Sequence, residues 1–376
     1  MQPSNKWNIY YDRWLLIAAV ALIALGLLMV TSASMVISDR RYHYPFHFLF
    51  RQTSYLIVGV FVAVIIARIK IDIWQKISGY LLVIGFALLV LVLVPGIGHS
   101  VNGSRRWLGL GPIGVQVSEL IKLFIILYLA GYLVRRKKEV QQQLSGLIKP
   151  LVVLVLISGL LLMEPDFGAT VVVMATALGM LFLGGVRLRY FLLLFVIVAV
   201  GLAFLAVSEP YRLVRLTTFL HPWAKQFDSG YQLTQSLIAF GRGGFWGVGL
   251  GNSVQKLFYL PEAHTDFLFA VLAEELGLVG ELVVIGLFVL LVGRIFYIGK
   301  LAINNGHQFA AYVAWGIGFW LGLQTMINIG VNAGLLPTKG LTLPFMSYGG
   351  SSLVVNCLLL GILFRITYEA SDLRPR

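Results

Sequence analysis

A carboxylate next to a long apolar run is the side chain best placed for acid–base chemistry in this sequence. Asp266 lies in His264-Thr265-Asp266-Phe267, and the apolar run follows directly. An ionised carboxylate can accept the proton of a sugar hydroxyl and so activate its oxygen for attack. Asp is equally a common helix N-cap, where its charge suits the positive end of the helix dipole. The sequence leaves catalysis and capping both open for Asp266.

Four basic side chains occur, like this carboxylate, in polar segments that flank apolar runs: Arg106, Arg212, Arg215 and Lys339. Arg binds two phosphate oxygens at once through its forked N–H groups, and Lys binds phosphate as a compact charge. Any one of these residues alone is typical of an anchor at a membrane interface. Several cations beside a carboxylate instead suit a lipid-linked pyrophosphate sugar. We therefore predict that these four residues bind substrate.

Two ionisable residues of opposite charge begin another apolar run. Glu119 and Lys122 are three positions apart and so share one face of a predicted helix. Ionisable groups inside a membrane are costly, which makes them candidates for function. We predict that both bind substrate, while a neutralising pair that only fixes helix packing stays open. In the run after Asp266, Glu274 and Glu281 also share a face, and they either pair with a neighbouring cation or line a polar path.

The composition assigns the chain to the membrane proteins and excludes other classes. Of 376 residues, 59% are hydrophobic and 12% are charged, against about 25% charged in soluble domains. The single cysteine, Cys357, rules out a disulfide within the chain, and the 6 histidines lack the HxxH or HExxH spacing of zinc hydrolases. The net charge of +13 is concentrated at the ends of apolar runs, which indicates a membrane rather than nucleic acid. We predict no metal ligands and no nucleic-acid partner.

The apolar runs are long enough to cross a membrane, and lipid favours the helical backbone for such runs. We predict an all-α polytopic membrane protein, one domain over residues 1–376, with about ten transmembrane helices. The predicted spans are 14–34, 52–68, 77–95, 118–134, 148–163, 169–186, 189–207, 266–293, 308–334 and 345–364.

Basic residues are enriched in alternate connections, so the positive-inside rule predicts that both termini are cytoplasmic. Two long connections, about 96–117 and 208–265, are then extracytoplasmic. The second contains too many aromatic residues for a disordered segment, which predicts that it folds back on the membrane surface.

Several stretches together are similar to one known family. They are residues 103–108 (GSRRWL), 230–236 (GYQLTQS), 240–244 (FGRGG), 249–253 (GLGNS), 260–267 (LPEAHTDF), 334–340 (GLLPTKG) and 344–350 (PFMSYGG). They resemble the SEDS family (shape, elongation, division and sporulation) along nearly the whole chain. The later stretches, with residues 29–34 (MVTSAS), resemble its division-type branch more than its elongation-type branch.

The resemblance implies an activity, a partner and roles for particular residues. It implies ten spans and polymerisation of lipid II at the division septum, in complex with a class B penicillin-binding protein (the septal transpeptidase) and other division proteins. By position, Asp266 matches the essential aspartate of the family, Glu119 and Lys122 match its polar pair, and Arg106 matches the arginine before its tryptophan.

We expect Asp266 to take the proton of the sugar hydroxyl that attacks the growing strand. Arg106, Lys122, Lys339 or a divalent cation such as Mg²⁺ would then meet the charge of the departing undecaprenyl pyrophosphate. A hydrolase is disfavoured, because no carboxylate pair flanking one bond is evident. Two other functions stay open, a lipid II flippase and a non-catalytic scaffold that activates the partner transpeptidase.

Overall fold

Thirteen α-helices and a three-stranded sheet form the computed structural model over the residues it describes, 11–101, 104–110 and 113–372. In chain order the elements are α1 (Arg13–Tyr42), α2 (His47–Ile66), α3 (Ile71–Leu93), β1 (Gly98–Val101), β2 (Ser104–Leu110), β3 (Ile113–Gln116), α4 (Val117–Arg135), α5 (Lys137–Gln142), α6 (Ser145–Met163), α7 (Phe167–Leu183), α8 (Leu188–Ser208), α9 (Pro210–Leu220), α10 (Tyr231–Gly243), α11 (Leu268–Asn304), α12 (Gln308–Asn332) and α13 (Gly350–Asp372). The terminal residues 1–10 and 373–376, on which part of the topology prediction depends, lie outside this description.

Nine of the helices in the described ranges are long and apolar enough to cross a membrane, and α7 adds an apolar helix of 17 residues. Seventeen residues rise about 26 Å, which is close to the thickness of a hydrocarbon core. The prediction of a polytopic protein with about ten transmembrane helices is therefore confirmed. Helices α4, α12 and α13 are mostly buried and form the centre, while α2 and α8 lie at the periphery.

Several predicted helix ends differ from the structure; α2 and α3, for example, begin five and six residues before the predicted 52 and 77. Helix α1 runs on to Tyr42 instead of ending at residue 34, and α13 begins at Gly350 instead of 345. Helix α11 begins at Leu268, so Asp266 precedes the helix rather than belonging to it. Hydropathy marks where the chain is apolar, whereas a helix ends where its backbone groups find other partners.

Both long connections are folded. The first carries the antiparallel sheet β1-β2-β3, in which Trp107 pairs with Gln116. The all-helical prediction did not include this sheet. The second connection contains α9, a 3₁₀ turn at Pro222–Lys225, and α10. The second connection is folded, as its aromatic content predicted. The two connections bring Arg106 and Arg215 to the same end of the bundle as Asp266.

Helix α11 is interrupted at Gly277, where a segment of chain inserts into it. Gly277 has φ +63° and ψ −165°, far from helical values. Residues 244–249, the inserted segment, supply the missing hydrogen bonds: the N–H groups of Leu278 and Val279 donate to the carbonyls of Gly244 and Phe245, and the carbonyls of Glu274 and Glu275 accept from Val248 and Gly249. Non-helical backbone inside a membrane protein is tolerated where protein groups satisfy it in this way.

Two buried carboxylates hold the chain around the inserted segment against α11. Glu274 forms an ion pair with Arg242 (3.5 Å) and accepts a hydrogen bond from the Ser253 hydroxyl. Glu275 accepts a hydrogen bond from Lys256 Nζ at 2.7 Å. The predicted alternative that Glu274 pairs with a neighbouring cation is confirmed, and the connection that precedes Asp266 is thereby fixed to the helix that follows it.

Substituting Gly277 by Ala should destabilise the protein strongly. A Cβ at this position would lie 2.3 Å from Gly247 N and 2.7 Å from Phe245 O, in a left-handed backbone conformation that side chains disfavour. We expect a loss of about 2 kcal/mol or more, measured as thermal unfolding in one detergent. Gly286→Ala in the same helix is the control, because nothing lies within 4 Å of its added Cβ. Equal unfolding temperatures for the two variants would contradict this description of the break.

Candidate active site

Asp266 lies in the turn before α11 and does not cap it. The residue at the N-cap position is Phe267, and no side chain there accepts a capping hydrogen bond. The Oδ2 atom of Asp266 lies only 3.1 Å from the place that a Cβ on Gly340 would occupy, so the glycine permits the close approach of the 334–349 loop. The capping interpretation is therefore wrong for this structure, and the carboxylate is left for another role.

The surroundings of Asp266 raise the pKa of its carboxyl group to about 7. Burial is the main cause, because it disfavours the charged form, and the nearby Glu262 adds to it. The positive charges of Arg106 and Arg215 act in the opposite direction, while Asp166 raises the pKa further. A carboxyl group that titrates near neutral pH can both accept and release a proton there, as a general base must.

Arg106 is held by the corner between α6 and α7. Its Nε donates to the Glu164 carbonyl at 3.2 Å and its Nη2 donates to the Pro165 carbonyl at 2.6 Å. Its Nε also lies 3.7 Å from Asp166 Oδ2. Asp166 in turn caps α7 by accepting a hydrogen bond from Ala169 N at 3.1 Å. The β2 strand and the start of α7 thus fix the guanidinium group, whose charge acts on Asp266.

Glu164 adds a neutral acid to this corner. Its side chain is 0% exposed, and neither carboxyl oxygen has a hydrogen-bond partner among the described residues. Burial, with the charge of Asp166, raises its pKa to about 8, and Arg106 opposes the shift. Sequence reasoning missed Glu164 and Asp166, although two acids around a proline at the end of an apolar run are a visible signal.

Lys339, Arg212 and Arg215 form a cation group on one side of Asp166. Lys339 Nζ lies 3.3 Å from the centre of the Phe167 ring, and Arg212 Cζ lies 5.3 Å from it. Arg215 Nη1 donates to the carbonyl of Thr338, next to Lys339, at 3.2 Å. Burial, together with the charges of Arg215 and Arg212, lowers the pKa of Lys339 to about 7, and Asp166 opposes the shift. Crowded cations of this kind favour the binding of an anion.

Glu119 and Lys122 lie inside the bundle. Lys122 Nζ donates to Glu119 Oε1 at 2.7 Å and to Gln324 Oε1 at 2.9 Å, and it lies 4.5 Å from the Trp320 ring centre. Both side chains are almost fully buried. Gln324 continues the network to the Thr342 carbonyl in the 334–349 loop. The structure therefore gives this pair packing partners, and substrate binding by it stays a prediction.

The acidic residues near Asp266 do not form a cage for a resident metal ion. Among the residues described, no group of three or more His, Cys, Asp or Glu side chains is arranged to hold one. Mg²⁺ commonly uses only one or two carboxylates together with substrate phosphates. A divalent cation that enters with a pyrophosphate stays a prediction.

The two titrating groups predict a bell-shaped dependence of kcat/KM on pH. Asp266 must be ionised to accept a proton, so activity should rise with pH through about 7. Lys339 must be protonated to attract an anion, so activity should fall as pH rises through the pKa of Lys339. Lys339→Arg keeps its charge at all these pH values and should remove the alkaline limb alone. An unchanged alkaline limb in that variant would contradict the role of Lys339.

Comparisons with known proteins identify the family. Residues 13–372 match the family described as cell cycle protein, which includes FtsW, RodA and SpoVE. The chain is 61% identical to the probable peptidoglycan glycosyltransferase FtsW of Coxiella burnetii, covering 99% of this chain and 100% of that one. It is 59% identical to the protein of the same name from Legionella pneumophila, with 98% and 93% covered.

Comparison with solved structures leads to the same family. A chain of a peptidoglycan synthase complex, described as coordinating polymerization and crosslinking, superposes with a TM-score of 0.79 at 29% identity, covering 96% of this chain and 98% of that one. Thermus thermophilus RodA superposes with a TM-score of 0.71 at 29% identity, covering 96% and 97%. By sequence along its length and by fold, this chain belongs to the FtsW/RodA/SpoVE family of cell cycle proteins.

Proposed function

We propose that this chain is a peptidoglycan glycosyltransferase that polymerises lipid II into glycan strands at the outer face of the cytoplasmic membrane during septal wall synthesis. Relatives at 61% and 59% identity are named as probable enzymes of this kind. One observation carries the proposal at the level of chemistry. Asp266 Oδ2 lies 3.1 Å from where a Cβ on Gly340, next to Lys339, would be, and the charges of Arg106 and Arg215 act on its carboxyl group, so a candidate base and several cations share one site.

The proposed reaction is a single displacement. The 4-hydroxyl of the incoming sugar loses its proton to the carboxylate of Asp266, and its oxygen forms a bond to the anomeric carbon of the growing strand. The bond between that carbon and the pyrophosphate breaks, and its electron pair leaves with the lipid-linked pyrophosphate. The pKa near 7 suits Asp266 to taking this proton at neutral pH.

Negative charge that develops on the leaving group requires positive charge already in place. Lys339, Arg212 and Arg215 supply it from α9 and the 334–349 loop, and Arg106 supplies it from the sheet. Preorganised charge of this kind is often the largest contribution to rate enhancement. Because the pKa of Lys339 is lowered, an anion that binds beside it would raise the protonated fraction of its amine. Binding of the anion and protonation of Lys339 would thus favour each other.

The outer-face location follows from the positive-inside prediction, and a reporter measures it. A reporter that is active only outside the cytoplasm should give signal when fused after Ala224, in the 3₁₀ turn, and none after Lys138, in α5. With ten spans, that pattern would also put both termini in the cytoplasm. The reverse pattern would place Asp266 and the cation group on the cytoplasmic side, where this function is impossible.

A class B penicillin-binding protein and other division proteins are the proposed partners, with the septum as the place of action. The support is the similarity to a chain of a peptidoglycan synthase complex. Tagged protein extracted in a mild detergent should carry the endogenous transpeptidase with it. Repeated extraction without any such protein would contradict a stable complex.

Polymerisation of lipid II by the purified protein, with its partner, tests the function. Fluorescent lipid II should be converted to a ladder of glycan strands that muramidase digests. A flippase would instead move lipid II between the leaflets of vesicles and leave it monomeric, and a scaffold would do neither. Monomeric lipid II after incubation with folded, partner-bound protein would overturn the proposal in favour of one of these alternatives.

A further inference from the structure

A side chain from α12 contacts both the first turn of α11 and the backbone of Asp266. In a regular helix the N–H of Ala270 would donate to the carbonyl of Asp266, four residues earlier. Here the N–H of Ala270 donates both to Asn332 Oδ1 and to the Phe267 carbonyl, each at 3.1 Å. The carbonyl of Asp266 accepts from Asn332 Nδ2 at 3.0 Å. One carboxamide therefore stands between the two groups and keeps Asp266 out of the helix.

A second asparagine, one turn earlier in α12, ties the same carbonyl to the loop that carries Lys339. Asn328 Nδ2 donates to the Asp266 carbonyl at 2.9 Å and to the Leu341 carbonyl at 2.6 Å. Asn332 Nδ2 also donates to the Asn328 carbonyl at 2.9 Å. The amide group of Asn328 thus holds both the backbone of Asp266 and the backbone of Leu341, two residues after Lys339.

Both asparagines are buried, with 3% and 0% of their surface exposed, and hydrogen bonds satisfy them. A buried amide without partners is costly, whereas one with complete partners orients what it contacts. Ser236 in α10 adds to this by donating to the Asn332 carbonyl at 2.7 Å. An apolar residue in place of Asn332 would remove this bridge. Ala270 N and the Asp266 carbonyl, which Asn328 would still contact, could then bond to each other and extend α11 by one residue.

We propose that Asn328 and Asn332 are positioning residues, which hold Asp266 and the Lys339 loop in the geometry that catalysis requires by bridging the Asp266 carbonyl to the first turn of α11 and to the Leu341 carbonyl. They do not touch the reacting atoms. The inference rests on the proposed function, since this geometry matters only where Asp266 reacts. An error of about 1 Å in the placement of a reacting group is enough to reduce turnover on the order of a hundredfold.

Kinetics of Asn332→Leu test the inference against an ordinary loss of packing. The control is Asn356→Leu in α13, because Asn356 is similarly buried and its Nδ2 donates to Ser352 Oγ, within its own helix, at 3.4 Å. We expect kcat to fall about tenfold or more below that of the control, while KM for lipid II changes by less than about threefold. Asn328→Ala, which keeps the Asn332 bridge, serves if Asn332→Leu does not fold, and its kcat should fall for the same reason.

A structure of the Asn332→Leu variant, or of Asn328→Ala where that one is used, supplies a readout that needs no catalysis. In the Asn332→Leu variant, Ala270 N should lie within hydrogen-bond distance of the Asp266 carbonyl; in Asn328→Ala, the distance from the Asp266 carbonyl to Leu341 should increase. If Asp266 keeps its place, or if kcat matches that of the control, the inference is wrong. If the wild-type protein makes no polymer, the proposed function fails, and the structure of the variant still decides whether the asparagines position Asp266.

Discussion

Replacing Asp266 by Asn should reduce lipid II polymerisation on the order of 10² or more, with little change in folding. Asn has the same shape but cannot take up a proton. The structure removes the main structural objection, because Asp266 does not cap α11 and its backbone is held through its carbonyl, which Asn retains. Loss of the negative charge near a helix start costs less than about 1 kcal/mol, so unfolding would not explain the loss of activity.

The matched control for this experiment is Asp228→Asn, which changes an exposed carboxylate in the same long connection. Initial rates of polymerisation should be measured for both variants at equal amounts of folded, partner-bound protein. The Asp228 variant should keep the wild-type rate. Wild-type activity in the Asp266 variant would mean that Asp266 does not act as the base.

Replacing Lys122 by Met should destabilise the protein by about 3–5 kcal/mol. The substitution leaves Glu119 buried and without its cation, since Lys122 Nζ lies 2.7 Å from Glu119 Oε1 and Glu119 Oε2 has no hydrogen-bond partner among the described residues. The double variant with Glu119→Gln removes both charges and should recover most of the lost stability. Thermal unfolding of the two variants in one detergent measures the difference.

Activity of that double variant separates the two interpretations of the pair. If the pair only fixes the packing of α4 against Gln324 and Trp320, the stable double variant should polymerise lipid II. If Lys122 binds the pyrophosphate, the double variant should be folded and inactive. A single Lys122→Met variant that unfolds like the wild type would contradict the structural account of the pair in either case.

Sequence reasoning was most effective where a single physical requirement dominates. The spans were predictable because ~30 Å of hydrocarbon requires about twenty apolar residues and a satisfied backbone. Arg106, Arg212, Arg215 and Lys339 were identifiable because charge beside lipid is costly unless it has a use. The structure places these four cations around the corner formed by Asp166 and Phe167, and around Asp266.

The features that sequence reasoning missed depend on contacts between distant parts of the chain. In the sequence, Gly277 looks like any glycine inside an apolar run. Its role is evident only from the hydrogen bonds between the inserted segment and the residues around Gly277. Likewise, Asn328 and Asn332 are two polar residues of α12 in the sequence, and only the structure shows that both donate to the Asp266 carbonyl. Glu164 and Asp166 were visible in sequence, but only the position of Arg106 connects them to the site.

The general-base role of Asp266 is the central claim, and the pH dependence of turnover tests it most directly. Rates should be measured between about pH 5 and pH 8 for the wild-type protein and for Asp266→Asn, with saturating lipid II. The wild-type rate should fall about tenfold for each pH unit below the pKa of Asp266, which lies near 7 in the free protein. The residual rate of the Asn variant should lack this acid limb. An acid limb of the same midpoint in the Asn variant would show that another group takes the proton.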